Sequence, residues 1–554
     1  MWAKCLGTAC KYCAVVFACV GGSVTAAEIA QTVFTNGHIY TGDQNAAWAT
    51  TMVVHKKKIV YVGLEDPPTD LLSAKTTYVD LQDRTVMSGI HDAHTHLLLA
   101  GWLQNFSCKL TGELTIGRLV DQLKACQKRN ASEEDWIIGG LIYANQFPDG
   151  KPHRSFLDAH FPNTPIYLHE GSLHHALVNT KALEIAGVDN DTADPHAGKF
   201  LRDASGNLTG ELVEMATMFV TGHMPKPTPL EVSAAIEWAV RKCAEFGITS
   251  VQDATGDVAM LEVLRDMDLS GELKLEVAAH LMWEAPKFSG TAFGSSEDLI
   301  KARKEFRTPH VDPNNIKMWL DGSPTPPYFT QSDFNPEKYS PDWEHMLFGQ
   351  AELNEYVANF DRMGMRVKMH VAGAGAANAA LNAVQHARYA NEASFLKHEL
   401  AHTNLVTPDD FSRISFLDMV AEMSPAVWQI YGQTLGDPPQ RAWEFKKMLE
   451  NDVLMTVGTD WAVTDEPNLF PGLAGMLTHG DNSIDIFAAT QALTLNGAIA
   501  MGREDELGSL MAGKNANFIV LYRNIFEATP REIANTKVLQ TFFEGELIFE
   551  SNEA

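Results

Sequence analysis

Histidines 94 and 96 stand two apart in "SGIHDAHTHLLLAG", residues 88–101. On a β-strand that spacing sends both side chains to the same face, where two imidazoles can grip one cation. Further candidate groups recur downstream, each after its own apolar run: Lys317 in "NIKMWLDG", His370 in "RVKMHVAG", His402 in "KHELAHTN" and Asp460 in "VLMTVGTDWAV". Neutral imidazole and carboxylate suit Zn²⁺ and similar borderline metals. A protonated lysine is a poor ligand, and burial penalises its charge. Carbamylation by CO₂ would convert Lys317 into an anionic oxygen ligand able to bridge two ions. Asp460 could bind an ion and also accept a proton from a metal-bound water. Taken singly, each has a plainer reading: a hydrogen-bonded histidine, Lys317 paired with Asp321, a turn at "GTD". The ordered set is what points to a metal centre, with His91 and His398 as structural or outlying members and Asp92 as an orienting group.

Such a set works only if strand ends converge. From about 86 to 506, short apolar runs alternate with helix-period stretches such as "LEVSAAIEWAVRKCAEFG" and "AANAALNAVQHARYANEA". Repeated strand–loop–helix units imply a parallel sheet, and at about 420 residues the simplest closed form is a (β/α)8 TIM-type barrel with insertions. The site residues would then sit at the C-terminal ends of its strands. Hairpin-like segments at both ends ("TVFTNGHIYTG", "ATTMVVHKKKIVYVG", "NFIVLY", "VLQTFFEGELIFES") suggest one antiparallel sheet module built from residues 28–85 and 507–554. Neither G-x-G-x-x-G nor G-x-x-x-x-G-K-[ST] occurs, which argues against a nucleotide-binding open sheet.

Residues 1–27 read as a secretory signal peptide: Lys4 and Lys11, then "YCAVVFACVGGSV", then small residues up to Ala27. Export to the periplasm or beyond the cell follows, with a lipid anchor at Cys19 as a minor reading and no integral membrane segment once the leader is removed. Four of the seven cysteines lie in the leader. Cys108, Cys126 and Cys243 are expected to be buried small apolar residues, not a disulfide framework. A net charge of −27 leaves no basic stripe for nucleic acid. The expected partner is a small-molecule substrate, and a homo-oligomer remains open.

The chain resembles the amidohydrolase superfamily, and within it the family 3, YtcJ-like branch that includes N-substituted formamide deformylases. The motifs are "SGIHDAHTHLLLAG", "GKFLRDASGNLTGELVE", "IKMWLDGS", "HVAGAGAANAALNAV", "KHELAHTN", "GTDWAV" and "LGSLMAGKNANFIVLY". The resemblance implies His94, His96, His370, His402 and Asp460 as metal ligands, with Lys317 as a carbamylated bridge, and makes the module at the two chain ends a small β-sandwich. One or two divalent ions, usually zinc, would generate a hydroxide that attacks a carbonyl while Asp460 shuttles the proton to the leaving amine. The implied activity is cleavage of a C–N bond in an amide, formamide or cyclic amide. The same site could cleave an ester, carbamate or lactone, and a non-catalytic regulatory relative is a third reading. "SLHHALVN" departs from the family's D-G-H-x-x-[WL]-V-N but keeps His174 and Asn179, which are expected to line the substrate pocket. Trp461 would either narrow that pocket or pack.

Overall fold

Eight short strands with buried interiors lie side by side: β1 (Ile90–Thr95), β2 (Ile248–Gly256), β3 (Glu276–Met282), β4 (Val311–Trp319), β5 (Arg366–His370), β6 (Glu399–Ala401), β7 (Val420–Met423) and β8 (Leu454–Val457). In this computed structural model, which describes residues 32–111, 115–132, 134–284, 295–391, 394–427 and 442–552, their order in the sheet follows their order in the chain. Every neighbouring pair is parallel. The sheet nearly closes on itself just beyond β8, where Asp460 N donates to His94 O at 2.8 Å and Thr95 bridges Trp461. The result is the expected TIM-type barrel. The expected leader lies outside the described residues.

Helices cover the barrel because their apolar positions fall on one stripe. Helix Pro229–Glu245 starts with a capping box between Thr228 and Glu231 and buries Val232, Ala235, Ile236, Ala239, Val240 and Cys243. It presses against helix Leu97–Asn105 at Gly101, where a Cβ would sit 2.2 Å from Ala235 O. Only glycine permits that approach, which seats the helix leaving β1.

Between β1 and β2 the chain inserts a six-stranded sheet, in the spatial order Gly198–Arg202, Leu208–Glu214, His175–Val178, Ile166–Glu170, Ile137–Ile142, Cys108–Lys109. Contrary to expectation, Cys108 and Cys126 form a disulfide here, with Cα atoms 5.7 Å apart. The pairing depends on helix Ile116–Gln127 folding back over its own strand, which cysteine spacing does not reveal. Cys243 is a buried free thiol, as expected.

The chain ends meet in two further sheets. One holds Lys58–Gly63, Thr51–His55, Thr32–Thr35 and Thr77–Asp80. The other holds Glu546–Glu550, Val538–Phe543, Phe518–Leu521, Thr85–Ser88, His38–Tyr40 and Trp48–Ala49. Phe34 of the first packs edge-on against Phe518 and Phe542 of the second, at 5.1 and 5.4 Å. Strand Thr85–Ser88 belongs to this layer, and the barrel starts at β1 beyond Gly89. The "HDAHT" segment therefore lies within the first barrel strand itself.

Candidate metal centre and its cavity

His94 and His96 project from the end of β1 toward one carboxylate. The Nε2 atoms of His94 and His96 lie 3.8 and 3.1 Å from Asp460 Oδ1. Asp92, between the strand ends, accepts from the backbone N–H groups of His94 and Thr459 and from the Thr459 hydroxyl, which ties β1 to the segment after β8. A Cβ on Gly458 would meet His94 Cβ at 2.5 Å, so that position can carry no side chain without displacing His94. His402 and Asp460 both hold left-handed backbone, at φ of 67° and 53°. Histidine and aspartate tolerate that region better than most residues, and non-glycine residues held there cluster at functional sites.

Lys317, from β4, is wholly buried and its Nζ lies 3.2 Å from His94 Nε2. Burial, then the charge of Lys368, lowers its amine well below the ordinary lysine range. Lys317 does not pair with Asp321, whose carboxylate accepts the backbone N–H groups of Ser332, Ala372 and Gly373. His370 ends β5, with its ring 4.6 Å from that of His402 and its Nε2 3.1 Å from Gly322 O. Burial pulls His94 and His370 well below the ordinary histidine range and His402 to about 3, leaving neutral rings with a free lone pair. Burial raises Asp460, but the hydrogen bond from His96 and the neighbouring His402 and Lys317 outweigh it and hold the carboxyl below its usual range.

One participant was not singled out in the sequence. Glu422, from β7, is wholly buried; its Oε2 lies 2.8 Å from His94 Nδ1 and accepts from His402 N at 2.9 Å. Ser424 joins Glu422 to His402 Nδ1. A lone acid in the four-residue buried strand "VAEM" was the signal available.

These groups fit a divalent cation. Ligand atoms of His94, His96 and Asp460 all lie within 4.8 Å of one another, and so do those of His94, His402 and Glu422. Neutral imidazoles and carboxylates converging in a buried site are the donor set that zinc and related ions take. His94, His96, His402 and Asp460 form the floor of a cavity of about 700 Å³, with Lys317 and His370 also in its lining.

The expected substrate residues divide. His174, carried by the inserted sheet, lines the cavity. Its Nδ1 lies 2.9 Å from Glu214 Oε2, and its ring stacks on Trp319 at 5.7 Å and faces His370 at 5.1 Å. Asn179 does not line it. Wholly buried, Asn179 caps helix Thr180–Ala186 and bonds the backbones of Ile166, Phe161 and Thr164. Trp461 is 1% exposed and packs on Trp238 with ring centroids 5.6 Å apart, so of its two readings the structure takes packing. His91 bonds Ser250 and His398 bonds Asp361, both outside the cavity lining.

A family model described as "Amidohydrolase family" matches residues 77–549. The protein LONG AFTER FAR-RED 3 of Arabidopsis thaliana is 25% identical, over 94% of this chain and 92% of that protein. An N-substituted formamide deformylase of Arthrobacter pascens is 23% identical, over 93% of this chain and 97% of its own length. Among solved structures, an uncharacterized metal-dependent hydrolase from Pyrococcus furiosus shares the fold with a TM-score of 0.66, at 21% identity, over 90% of this chain and all of that one.

Proposed function

The chain belongs to the amidohydrolase family, and from that premise we propose that it is a metal-dependent hydrolase cleaving the C–N bond of a small amide, formamide or cyclic amide. The observation that carries this reading is the convergence of His94, His96 and Asp460, whose ligand atoms lie within 4.8 Å of one another on the cavity floor. In this reading His94, His96, His370, His402 and Asp460 hold one or two divalent ions, zinc being the best match to the donors. A cation bound there supplies Lewis acidity, acidifying water and polarising a carbonyl. The chain's own groups supply the rest. Asp460, beside His96, takes the proton from the attacking water and delivers it to the departing nitrogen. Glu422 and Ser424 orient His94 and His402. His174, steadied by Glu214 and Trp319, borders the space where the substrate carbonyl would lie. Lys317, if carbamylated, would add an anionic oxygen donor to the residues that hold the metal.

The test is direct. Purified protein is assayed for bound metal and for hydrolysis of matched N-formyl, N-acyl and ester compounds. One to two ions per chain with turnover of the amides supports the reading. Stoichiometric metal with turnover of esters alone overturns the C–N assignment, and no turnover at all favours a binding role.

For location, we propose export after removal of residues 1–27. The Cys108–Cys126 disulfide suits an oxidising compartment. Among the described residues no helix is long and apolar enough to cross a membrane. N-terminal sequencing of protein recovered outside the cytoplasm tests this; an intact Met1 there overturns it.

A further inference from the structure

Beside its polar floor the cavity has an apolar stretch of wall. Where the inserted sheet and the first barrel helix close over the site, the lining includes Leu99, Ile138, Leu173, Met215, Met218 and Met224, interspersed with neutral polar groups such as Ser172, Thr217 and Thr221. The charged residues that also border the cavity are either exposed or already committed. Lys199, Lys226 and Glu344 are exposed to solvent. Asp194 is held by Arg202 and by the Phe200 backbone N–H. Asp257 caps helix Val258–Ser270 through Met260 N. Glu214 is bound to His174, and Asp321 to three backbone N–H groups. Away from the metal end, His169 Nε2 is a buried polar atom of the lining without a hydrogen-bond partner among the described residues, on an uncharged ring.

A carboxylate or ammonium on an arm laid along this buried wall would therefore be stripped of water with no buried partner there, since Lys199 and Lys226 lie where the cavity meets solvent. An apolar arm gains from the same burial. Resting on the hydrolase reading above, we infer that the substrate is an uncharged amide whose non-reacting arm is a bulky apolar or aromatic group, with room for one neutral hydrogen-bonding function beside His169. The cavity's size suits a drug-sized molecule rather than a short acyl amine. Three unbranched, polarisable methionines on the wall let it adapt to arms of different shape, so the selection is for apolar character more than for one outline. The insertion, not the barrel, decides this. It brings Leu173, Met215 and Met218 to the site on the same sheet and adjoining helix that carry His174 and Glu214.

The experiment uses two homologous series, N-alkylformamides and N-methylalkanamides from two to eight carbons, each with an eight-carbon member ending in carboxylate. Turnover is read on the metal-loaded full chain, and calorimetric binding on Asp460→Asn. In at least one series kcat/KM should rise about fourfold per methylene, with binding rising in parallel, and the terminal carboxylate should cancel the gain. Met218→Lys, at a half-buried helical position, should lower the longest alkyl member at least tenfold and raise its carboxylated counterpart, without moving the melting temperature. Turnover that is flat with chain length, or equal for the carboxylated member, overturns the inference and leaves the hydrolase intact. Chain-length-dependent binding without turnover of any member keeps the substrate class and sinks the hydrolase. Absence of both overturns both.

Discussion

His94 Nδ1 lies 2.8 Å from Glu422 Oε2, with both side chains wholly buried and the two residues 328 positions apart in the chain. The carboxylate fixes which nitrogen of His94 carries the proton and leaves Nε2 turned toward Asp460 and Lys317. Glu422→Gln removes that preference while keeping the shape. We expect metal affinity to fall about 10–100-fold, measured by competition with a chelator, while circular dichroism is unchanged. Unaltered affinity would show that His94 needs no orienting partner.

Lys317 is tested by occupancy. If its carbamate bridges two ions, Lys317→Ala loses one of them and its metal content no longer responds to added bicarbonate. Elemental analysis with and without bicarbonate reads this, and circular dichroism confirms the fold. Two tightly held ions in the variant would eliminate the bridge.

A second acid–base cluster lies far from the cavity. His310 Nδ1 is 2.6 Å from Asp268 and its Nε2 3.3 Å from Glu544, joining the barrel to the C-terminal sheet. Burial lowers this histidine, but Glu544, Glu276 and Asp268 outweigh it and push it up to about 9. An unfolded histidine titrates near ~6.5, so the folded state binds the proton more tightly. The stabilisation is complete below that value and is lost as pH rises through about 9. Melting temperature should fall over this window, and His310→Gln should flatten the fall. An identical slope in the variant would remove the clasp from the account.

Asn179 and Trp461 should behave as stability residues. Asn179→Ala deletes a helix cap and leaves buried backbone groups of three residues unmet, at about 2–3 kcal/mol. Trp461→Phe loosens the contact with Trp238. Chemical denaturation should register both losses, while KM stays within about twofold of the parent. A selective rise in KM would return either residue to the substrate pocket.

What the sequence determined was whatever follows from local periodicity. Residues two apart on a strand share a face, so His94 and His96 were legible as a pair, and alternating strands and helices announced the barrel. In such a barrel the strand ends gather at one mouth, which made Lys317, His370, His402 and Asp460 candidates from their positions alone. The hairpin-like ends likewise foretold sheets. Contacts between distant segments were left to the tertiary structure. Glu422 became His94's partner only because β7 and β1 lie across one barrel. Cys108 met Cys126 because a helix folds back over its strand, and Glu214 reached His174 because their strands are neighbours in the inserted sheet. The same dependence moved Asn179 to a helix cap and Trp461 to the core: a motif names residue types, but packing decides whether a side chain faces the cavity or its own backbone.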